Sequence, residues 1–288
     1  MIKINRIEPQ GFCGGVNNAI KILDKVLSNS NTKKPIYLLG NLIHNKFVMN
    51  EYKEKGVIVL DNKEKTRLEL LDEIKTKGTV IFSAHGVEPK VYFKAKELGL
   101  DIIDATCPYV KVVHNKISTY INDGYQIIYI GTSKHPECEG ILGISENINL
   151  ITSIDDLNKL NIKSDKIYVT NQTTLSIYDI KEIFDSILNK YPNAIIDDKI
   201  CNATTIRQKA IMEQDIVDLC IIVGDPSSSN TKKLKKVSEL KGIKTIMIES
   251  VKELYNYSFD NINSISISSG ASTPKYLVDE VIEYINNK

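Results

Sequence analysis

The chain has 288 residues, enough for about two average domains or three small ones. Its 37 Lys and Arg residues offset 36 Asp and Glu residues, which argues against a general binder of nucleic acid or membrane surfaces, because such proteins carry a basic excess. With 42% hydrophobic and 25% charged residues, the composition is typical of a globular protein. No stretch approaches the roughly 18 apolar residues of a membrane span, and the N-terminus lacks the apolar core of a signal peptide, so we expect a cytoplasmic protein.

Six short apolar runs predict β-strands, and each leads into a loop of small or polar residues. In chain order the runs are 36–39, 80–82, 127–130, 167–169, 219–223 and 264–267, and their loops begin at Gly40, Ser83, Gly131, Thr170, Gly224 and Ser268. Stretches of helical pattern lie between them, which indicates βαβ units and parallel sheets. Since ligands bind beyond the carboxyl ends of parallel strands, these six loops are candidates for a binding site.

Three of the five cysteines are evenly spaced along the chain. Cys107 lies 94 residues after Cys13, and Cys201 lies 94 residues after Cys107. Each is followed by a segment of helical pattern, and an Asp stands three residues before the second and third, where we expect it to cap or orient the backbone. This spacing predicts three copies of one unit, each with a cysteine at a helix start.

The predicted fold class is α/β, with three small parallel-sheet units in a pseudo-threefold, trefoil-like arrangement. We expect the units to span residues 14–104, 105–198 and 199–288, with residues 1–13 completing the third. Three copies facing a common centre would bring three thiols and six loops together. The alternative is three ordinary α/β repeats whose loops face solvent and whose cysteines are buried.

The three evenly spaced thiols could hold zinc or an iron–sulfur cluster. None belongs to a Cys-x-x-Cys pair, which disfavours a zinc knuckle. A cluster held by three thiolates would leave one iron as a Lewis acid. The other two cysteines fall outside the repeat: we expect Cys220 to be a core residue and Cys138 to be a bystander beside the site.

Polar side chains in the loops suggest an anion site. Only three arginines are present, so a phosphate must be held by Lys, His, hydroxyls, amides or backbone N–H groups. Candidates in the loops are His44, His85, His135, Ser228, Ser229, Asn230 and Ser272. The segment 224–230 could present backbone N–H groups at a helix start, or its serine could simply cap that helix. His114 lies within a helical stretch, where we expect an ordinary surface residue.

One acid stands out among the loops. Glu137 follows His135 in the loop after the third predicted strand, and a carboxyl group in a dry polar pocket is a plausible proton donor. Thr173 and Thr174, in the loop after the fourth strand, could orient this acid or a substrate hydroxyl.

Seven motifs, in order along the chain, resemble the LytB family of 4-hydroxy-3-methylbut-2-enyl diphosphate reductases. They are residues 11–16 (GFCGGV), 83–87 (SAHGV), 104–110 (DATCPYV), 135–137 (HPE), 171–176 (NQTTLS), 201–205 (CNATT) and 228–230 (SSN). The resemblance covers residue 11 to about 274 and implies the last step of the non-mevalonate isoprenoid pathway.

The resemblance implies a 4Fe–4S cluster on Cys13, Cys107 and Cys201, with one iron open. An allylic alcohol diphosphate would be reduced by two electrons and two protons to isopentenyl and dimethylallyl diphosphates. It implies that the diphosphate is held by His44, His85, His135, Ser228, Ser229, Asn230 and Ser272. Thr173 and Glu137 would face the hydroxyl end, with Glu137 delivering protons, and electrons would come from ferredoxin or flavodoxin. Two rival interpretations are a zinc-thiolate hydrolase and a non-enzymatic iron–sulfur sensor.

Overall fold

The computed structural model describes residues 2–288. The first part of the chain contains β1 (Lys3–Arg6), α1 (Gly14–Ser28), β2 (Ile36–Leu39), α2 (Lys46–Glu54), β3 (Val57–Leu60), α3 (Arg67–Leu71), β4 (Thr79–Phe82), α4 (Pro89–Glu97) and β5 (Asp101–Asp104). The middle part contains α5 (Pro108–Asn122), β6 (Gln126–Ile130), α6 (Pro136–Leu142), β7 (Ile148–Ile151), α7 (Ile154–Lys159), β8 (Ile167–Asn171), α8 (Ile177–Lys190) and β9 (Ile195–Ile196).

The last part contains α9 (Asn202–Glu213), β10 (Leu219–Val223), α10 (Ser229–Leu240), β11 (Thr245–Ile248), a 3-10 helix (Val251–Leu254), β12 (Ser264–Ser269) and α11 (Lys275–Asn286). Among residues 2–288, no helix combines the length and the apolar character needed to cross a membrane.

The strands form three separate four-stranded sheets in which every paired neighbour is parallel. The orders are β3-β2-β4-β5, β7-β6-β8-β9 and β11-β10-β12-β1. The three sheets share one topology, and the N-terminal strand β1 supplies the fourth strand of the third sheet, with Lys3 opposite Ser264. The predicted fold class is confirmed: an α/β protein with three small parallel sheets in a trefoil-like arrangement. The unit limits 14–104, 105–198 and 199–288 with 1–13 stay a prediction.

The six strands predicted from apolar runs are the two central strands of each sheet. They are β2, β4, β6, β8, β10 and β12. Helices cover both faces of these strands, so nearly all of their residues are buried. The six edge strands were not predicted, because they are only partly buried and several carry polar residues, as in the Asp-Ile-Ile-Asp sequence of β5. Each sheet separates two apolar clusters, so the cores of the three units are distinct.

Candidate functional site

One cavity is lined by side chains from all three sheets. All twelve residues singled out from the sequence line it: Cys13, His44, His85, Cys107, His135, Glu137, Thr173, Cys201, Ser228, Ser229, Asn230 and Ser272. They belong to loops at the carboxyl ends of the central strands and to helix starts, which is where open parallel sheets bind ligands. The alternative of loops facing solvent with scattered, buried cysteines is wrong. The chemical roles assigned to the twelve residues remain predictions.

The three cysteines occupy equivalent positions in the three units. Cys13, Cys107 and Cys201 are the N-cap residues of α1, α5 and α9, and all three are partly exposed. Their backbone N–H groups donate to carbonyl oxygens of Ala271, Ala84 and Thr173, at 3.0, 3.0 and 2.8 Å. Each acceptor lies in the loop after the third strand of a sheet, and the fourth strand of that sheet leads into the cysteine-bearing helix. The same hydrogen bond, repeated three times, therefore fixes each helix start beside the strand-end loop of its own sheet.

The space between two of these thiols admits only glycine. A Cβ atom added to Gly15 would lie 2.6 Å from Sγ of Cys107 and 3.9 Å from Sγ of Cys13. Burial raises the pKa of the Cys107 and Cys201 thiols. Both are therefore protonated at neutral pH unless a positive partner, such as a metal centre, stabilises the thiolates.

The spacing of the thiols bears on the type of metal centre. Thiolates that share one zinc ion lie about 2.3 Å from it, and hence within about 4 Å of one another. Among residues 2–288, no three His, Cys, Asp or Glu side chains are close enough to hold a single ion. Three helix-start thiols from three different units line one cavity, where each could bind one metal of a polynuclear centre.

Three histidines form a triangle in the cavity wall. The ring centroids are 4.7 Å apart for His44 and His85, 5.8 Å for His85 and His135, and 6.0 Å for His44 and His135. Burial lowers the pKa of all three, to about 3 for His135 and well below the usual value for His85. The rings are therefore neutral at pH 7, and each has one N–H to donate.

The hydrogen bonds of the histidines indicate which ring nitrogen faces a ligand. Nδ1 of His135 accepts the backbone N–H of Glu137 at 3.1 Å, so in the neutral ring the hydrogen sits on Nε2. Nε2 of His44 is buried and has no partner among the described residues. Since buried polar atoms are normally paired, this nitrogen is a candidate to bind a ligand in the cavity.

The serine- and asparagine-rich segment after β10 completes the polar wall. Ser228 Oγ caps α10 by accepting the N–H of Thr231, while both side-chain polar atoms of Asn230 are buried without a partner. Ser272 Oγ donates to the carbonyl oxygen of His44 at 2.8 Å. The start of a 12-residue helix, neutral imidazoles and an unpaired amide are groups that can donate hydrogen bonds to an anion.

Glu137 is enclosed by hydrogen-bond donors. Its side chain is 1% exposed. Oε1 accepts the Thr173 backbone N–H at 2.8 Å and the Tyr129 hydroxyl at 3.2 Å, and Oε2 accepts the Thr173 hydroxyl at 2.8 Å. Burial nevertheless outweighs these bonds and raises the pKa of Glu137 to about 7. An acid with this pKa holds a proton in a large fraction of molecules at neutral pH.

The expectations for residues beside the site have mixed outcomes. Cys138 and Cys220 are buried and do not line the cavity, as predicted. Asp104 and Asp198 accept the backbone N–H groups of residues 106 and 200, which confirms that they orient the backbone. The prediction that His114 is an ordinary surface residue is wrong.

His114 is largely enclosed because two glycine backbones close over its ring. A Cβ atom on Gly86 would lie 3.1 Å from Nε2 of His114, and one on Gly140 would lie 3.4 Å from Cε1. Nε2 is buried without a partner, and burial lowers the pKa of His114 to about 4. The packing of α5 against a loop and helix α6 could not be predicted from its own sequence.

Two further contacts hold the site and were not predicted. Tyr129, in β6, donates to Glu137. The Arg67 guanidinium and backbone N–H both bind Glu139, each at 2.6 Å, which ties α3 to the helix that carries Glu137. The sequence offered one signal for the Arg67 contact, because each of only three arginines is a candidate for a specific ion pair.

Known proteins resemble the whole chain. A Bacillus cytotoxicus protein named 4-hydroxy-3-methylbut-2-enyl diphosphate reductase is 44% identical over 287 residues, covering 99% of this chain and 90% of that protein. A protein of the same name from Halalkalibacterium halodurans is 42% identical, with the same coverage.

Two solved structures also match. The E-1-hydroxy-2-methyl-but-2-enyl-4-diphosphate reductase from Plasmodium falciparum has a TM-score of 0.89 at 32% identity, covering 99% of this chain and 87% of that one. A second, titled (E)-4-hydroxy-3-methyl-but-2-enyl diphosphate reductase, has a TM-score of 0.68 at 31% identity and full coverage of both chains. The family model described as LytB protein matches residues 4–286, and the chain belongs to the LytB family.

Proposed function

We propose that this protein reduces (E)-4-hydroxy-3-methylbut-2-enyl diphosphate to isopentenyl and dimethylallyl diphosphates. Two electrons and two protons enter, the allylic C–O bond breaks, and the hydroxyl oxygen leaves as water. The observation that carries the proposal is one cavity that combines three helix-start thiols, a neutral polar wall suited to an anion, and a buried acid with a pKa of about 7. The names of the relatives support the choice of substrate.

Cys13, Cys107 and Cys201 are the residues that would hold a 4Fe–4S cluster. Their thiols fit such a centre because all three line one cavity and each stands at the start of a helix from a different unit. When bound, the cluster would supply electrons one at a time and a Lewis acid at the iron that no cysteine binds. The helix starts add positive partial charge, which favours thiolate over thiol.

The diphosphate end of the substrate would lie against the polar wall. Nε2 of His44 and the amide of Asn230 are buried without partners, and each would gain a hydrogen bond to a phosphate oxygen. Ser228, Ser229 and Ser272 would add hydroxyls, and His85 and His135 would donate N–H groups. Neutral donors of this kind hold an anion without an arginine fork.

Glu137 would hold the proton for the reaction, on the carboxyl group that the Thr173 hydroxyl and backbone N–H orient. Since burial places its pKa near 7, keeping this carboxyl group protonated at neutral pH costs little free energy. Thr173 fixes the direction in which the carboxyl group faces the cavity. Electrons would come from a small carrier protein, a ferredoxin or flavodoxin.

The proposal is tested on protein purified without oxygen and reconstituted with iron and sulfide. We expect iron and acid-labile sulfide in equal amounts and consumption of the allylic diphosphate with a reduced viologen dye. The Cys201→Ser variant is the control, since it keeps the cavity but loses one thiol. Zinc without sulfide would instead indicate a zinc-thiolate hydrolase, and an intact cluster without turnover would indicate a sensor; either result contradicts the proposal.

A further inference from the structure

Arg207 is a buried cation without a carboxylate partner. It lies in α9, six residues after Cys201, and its side chain is 3% exposed. Of the three arginines in the chain, Arg6 pairs with Asp279 and Arg67 with Glu139. Among residues 2–288, no carboxylate lies within ion-pair distance of Arg207. Since burying an unpaired charge is costly, this arrangement requires a compensating negative group.

The hydrogen bonds of Arg207 connect the segments that carry two of the three thiols. Nη2 donates to the carbonyl oxygen of Gly11 at 2.8 Å, two residues before Cys13. Nη1 donates to the carbonyl oxygen of Ala203 at 3.2 Å, two residues after Cys201. Nε is buried and has no partner. Two neutral carbonyl groups satisfy part of the guanidinium but do not cancel its charge.

The groups that act electrostatically on Arg207 are few. They are the thiols of Cys13 and Cys201 and the exposed Glu8 carboxyl group, whose negative forms raise the pKa of Arg207. Burial lowers the pKa of Arg207, yet a guanidinium stays protonated in proteins. When the two cysteines are thiolates, the charge on Arg207 therefore has its counter-charge, in a part of the protein with little water.

We propose that Arg207 compensates the negative charge of the cluster ligands Cys13 and Cys201 and thereby makes the bound cluster easier to reduce. This inference rests on the proposed function. Reduction adds one electron from the external donor to the cluster, with no bond made or broken, and so adds one negative charge. A fixed, buried cation beside two ligands stabilises that more negative state. Arg207 does not line the cavity, so it is a positioning and charge-compensating residue that does not touch substrate.

The test compares reconstituted wild-type protein with Arg207→Gln, which removes the charge, and Arg207→Lys, which keeps it. The readout is the ratio of reduced to oxidised cluster, measured by electron paramagnetic resonance at a series of fixed potentials. We expect Arg207→Gln to lower this ratio at least tenfold at a given potential, which equals a shift of about 59 mV for a one-electron couple. Arg207→Lys should shift it less. Arg6→Gln is the matched control, because it removes an arginine charge that is half exposed and already paired.

The two variants distinguish an effect of the Arg207 charge from an effect of its hydrogen bonds. Arg207→Gln protein that fails to load a cluster while Arg207→Lys loads one also supports the proposal, because the charge is then needed for assembly. A change of less than twofold in Arg207→Gln would overturn it. So would equal shifts in the two variants, since the forked hydrogen bonds and not the charge would then matter. A wild-type protein that binds no cluster would contradict the proposed function instead.

Discussion

The backbone N–H of Cys201 donates to the carbonyl oxygen of Thr173 at 2.8 Å. The N–H and hydroxyl of the same threonine hold the two carboxylate oxygens of Glu137. One residue in the loop after β8 therefore fixes both the start of a cysteine-bearing helix and the buried acid. Because both contacts are made to this one threonine, the distance between the third thiol and the acid is set through a single residue.

Replacing the acid by its amide tests proton delivery. Glu137→Gln keeps the shape of the side chain but has no acidic proton, so we expect kcat to fall by about 10²–10⁴-fold. Cluster content and substrate binding should change little, as measured by iron and sulfide analysis and by KM. A kcat within about threefold of wild type would remove Glu137 from the mechanism, and weaker binding at unchanged kcat would make it a positioning residue.

The Thr173 hydroxyl should set the pH at which the acid works. Its hydrogen bond to Glu137 favours the charged carboxylate and so lowers the pKa of Glu137. Thr173→Val removes that bond, and the pKa of Glu137 should rise. Since the protonated acid is the active form, kcat falls as pH rises through this pKa, and the variant's falling limb should move to higher pH. Thr173→Ser, which keeps a hydroxyl, should keep the wild-type profile; an unmoved limb in Thr173→Val would contradict the assignment.

We expect Asn230 to bind the substrate and to lower the stability of the ligand-free protein. Asn230→Leu is similar in volume and removes two buried polar atoms without partners. We expect the ligand-free variant to unfold at the same temperature as wild type or higher, because no buried amide is then left unpaired. KM for the diphosphate should rise by about tenfold or more, since a hydrogen bond to a charged group is lost. An unchanged KM, measured with the same cluster content, would place the diphosphate elsewhere.

Two adjacent glycines should differ in their effect on the metal centre. A Cβ atom on Gly15 would lie 2.6 Å from Sγ of Cys107, whereas one on Gly14 meets no atom within 4 Å. We expect Gly15→Ala to lose most bound iron and sulfide because it displaces the thiol. Gly14→Ala is the matched control and should load normally. Equal loading of both variants would contradict the expected displacement of the Cys107 thiol.

The cysteines themselves offer the most direct comparison. Cys13→Ser, Cys107→Ser and Cys201→Ser should each lose most of the cluster and the activity. Cys138→Ser and Cys220→Ser should keep the cluster, because both thiols are buried away from the cavity lining. Iron and sulfide content relative to wild type is the measurement. Loss of the cluster in Cys138→Ser alone would mean that even spacing was the wrong criterion for choosing ligands.

The sequence by itself determined the repeat, the central strands and the membership of the site. The cysteines 94 residues apart and the loops at the ends of apolar runs can both be recognised in the sequence. A parallel sheet then brings the carboxyl ends of its strands to one edge. That rule places the candidates of each sheet together. The threefold repeat predicts that the three sets face a common centre, and all twelve candidates line one cavity.

Only the tertiary structure decided the electrostatic state of those residues. The pKa of Glu137 and the neutrality of the three histidines depend on how much water the other units exclude, and no local pattern records that. The enclosure of His114 and the unpaired charge of Arg207 likewise arise where separate segments meet. Desolvation is a property of the assembled interior, so it follows from packing between units and cannot be read from any one of them.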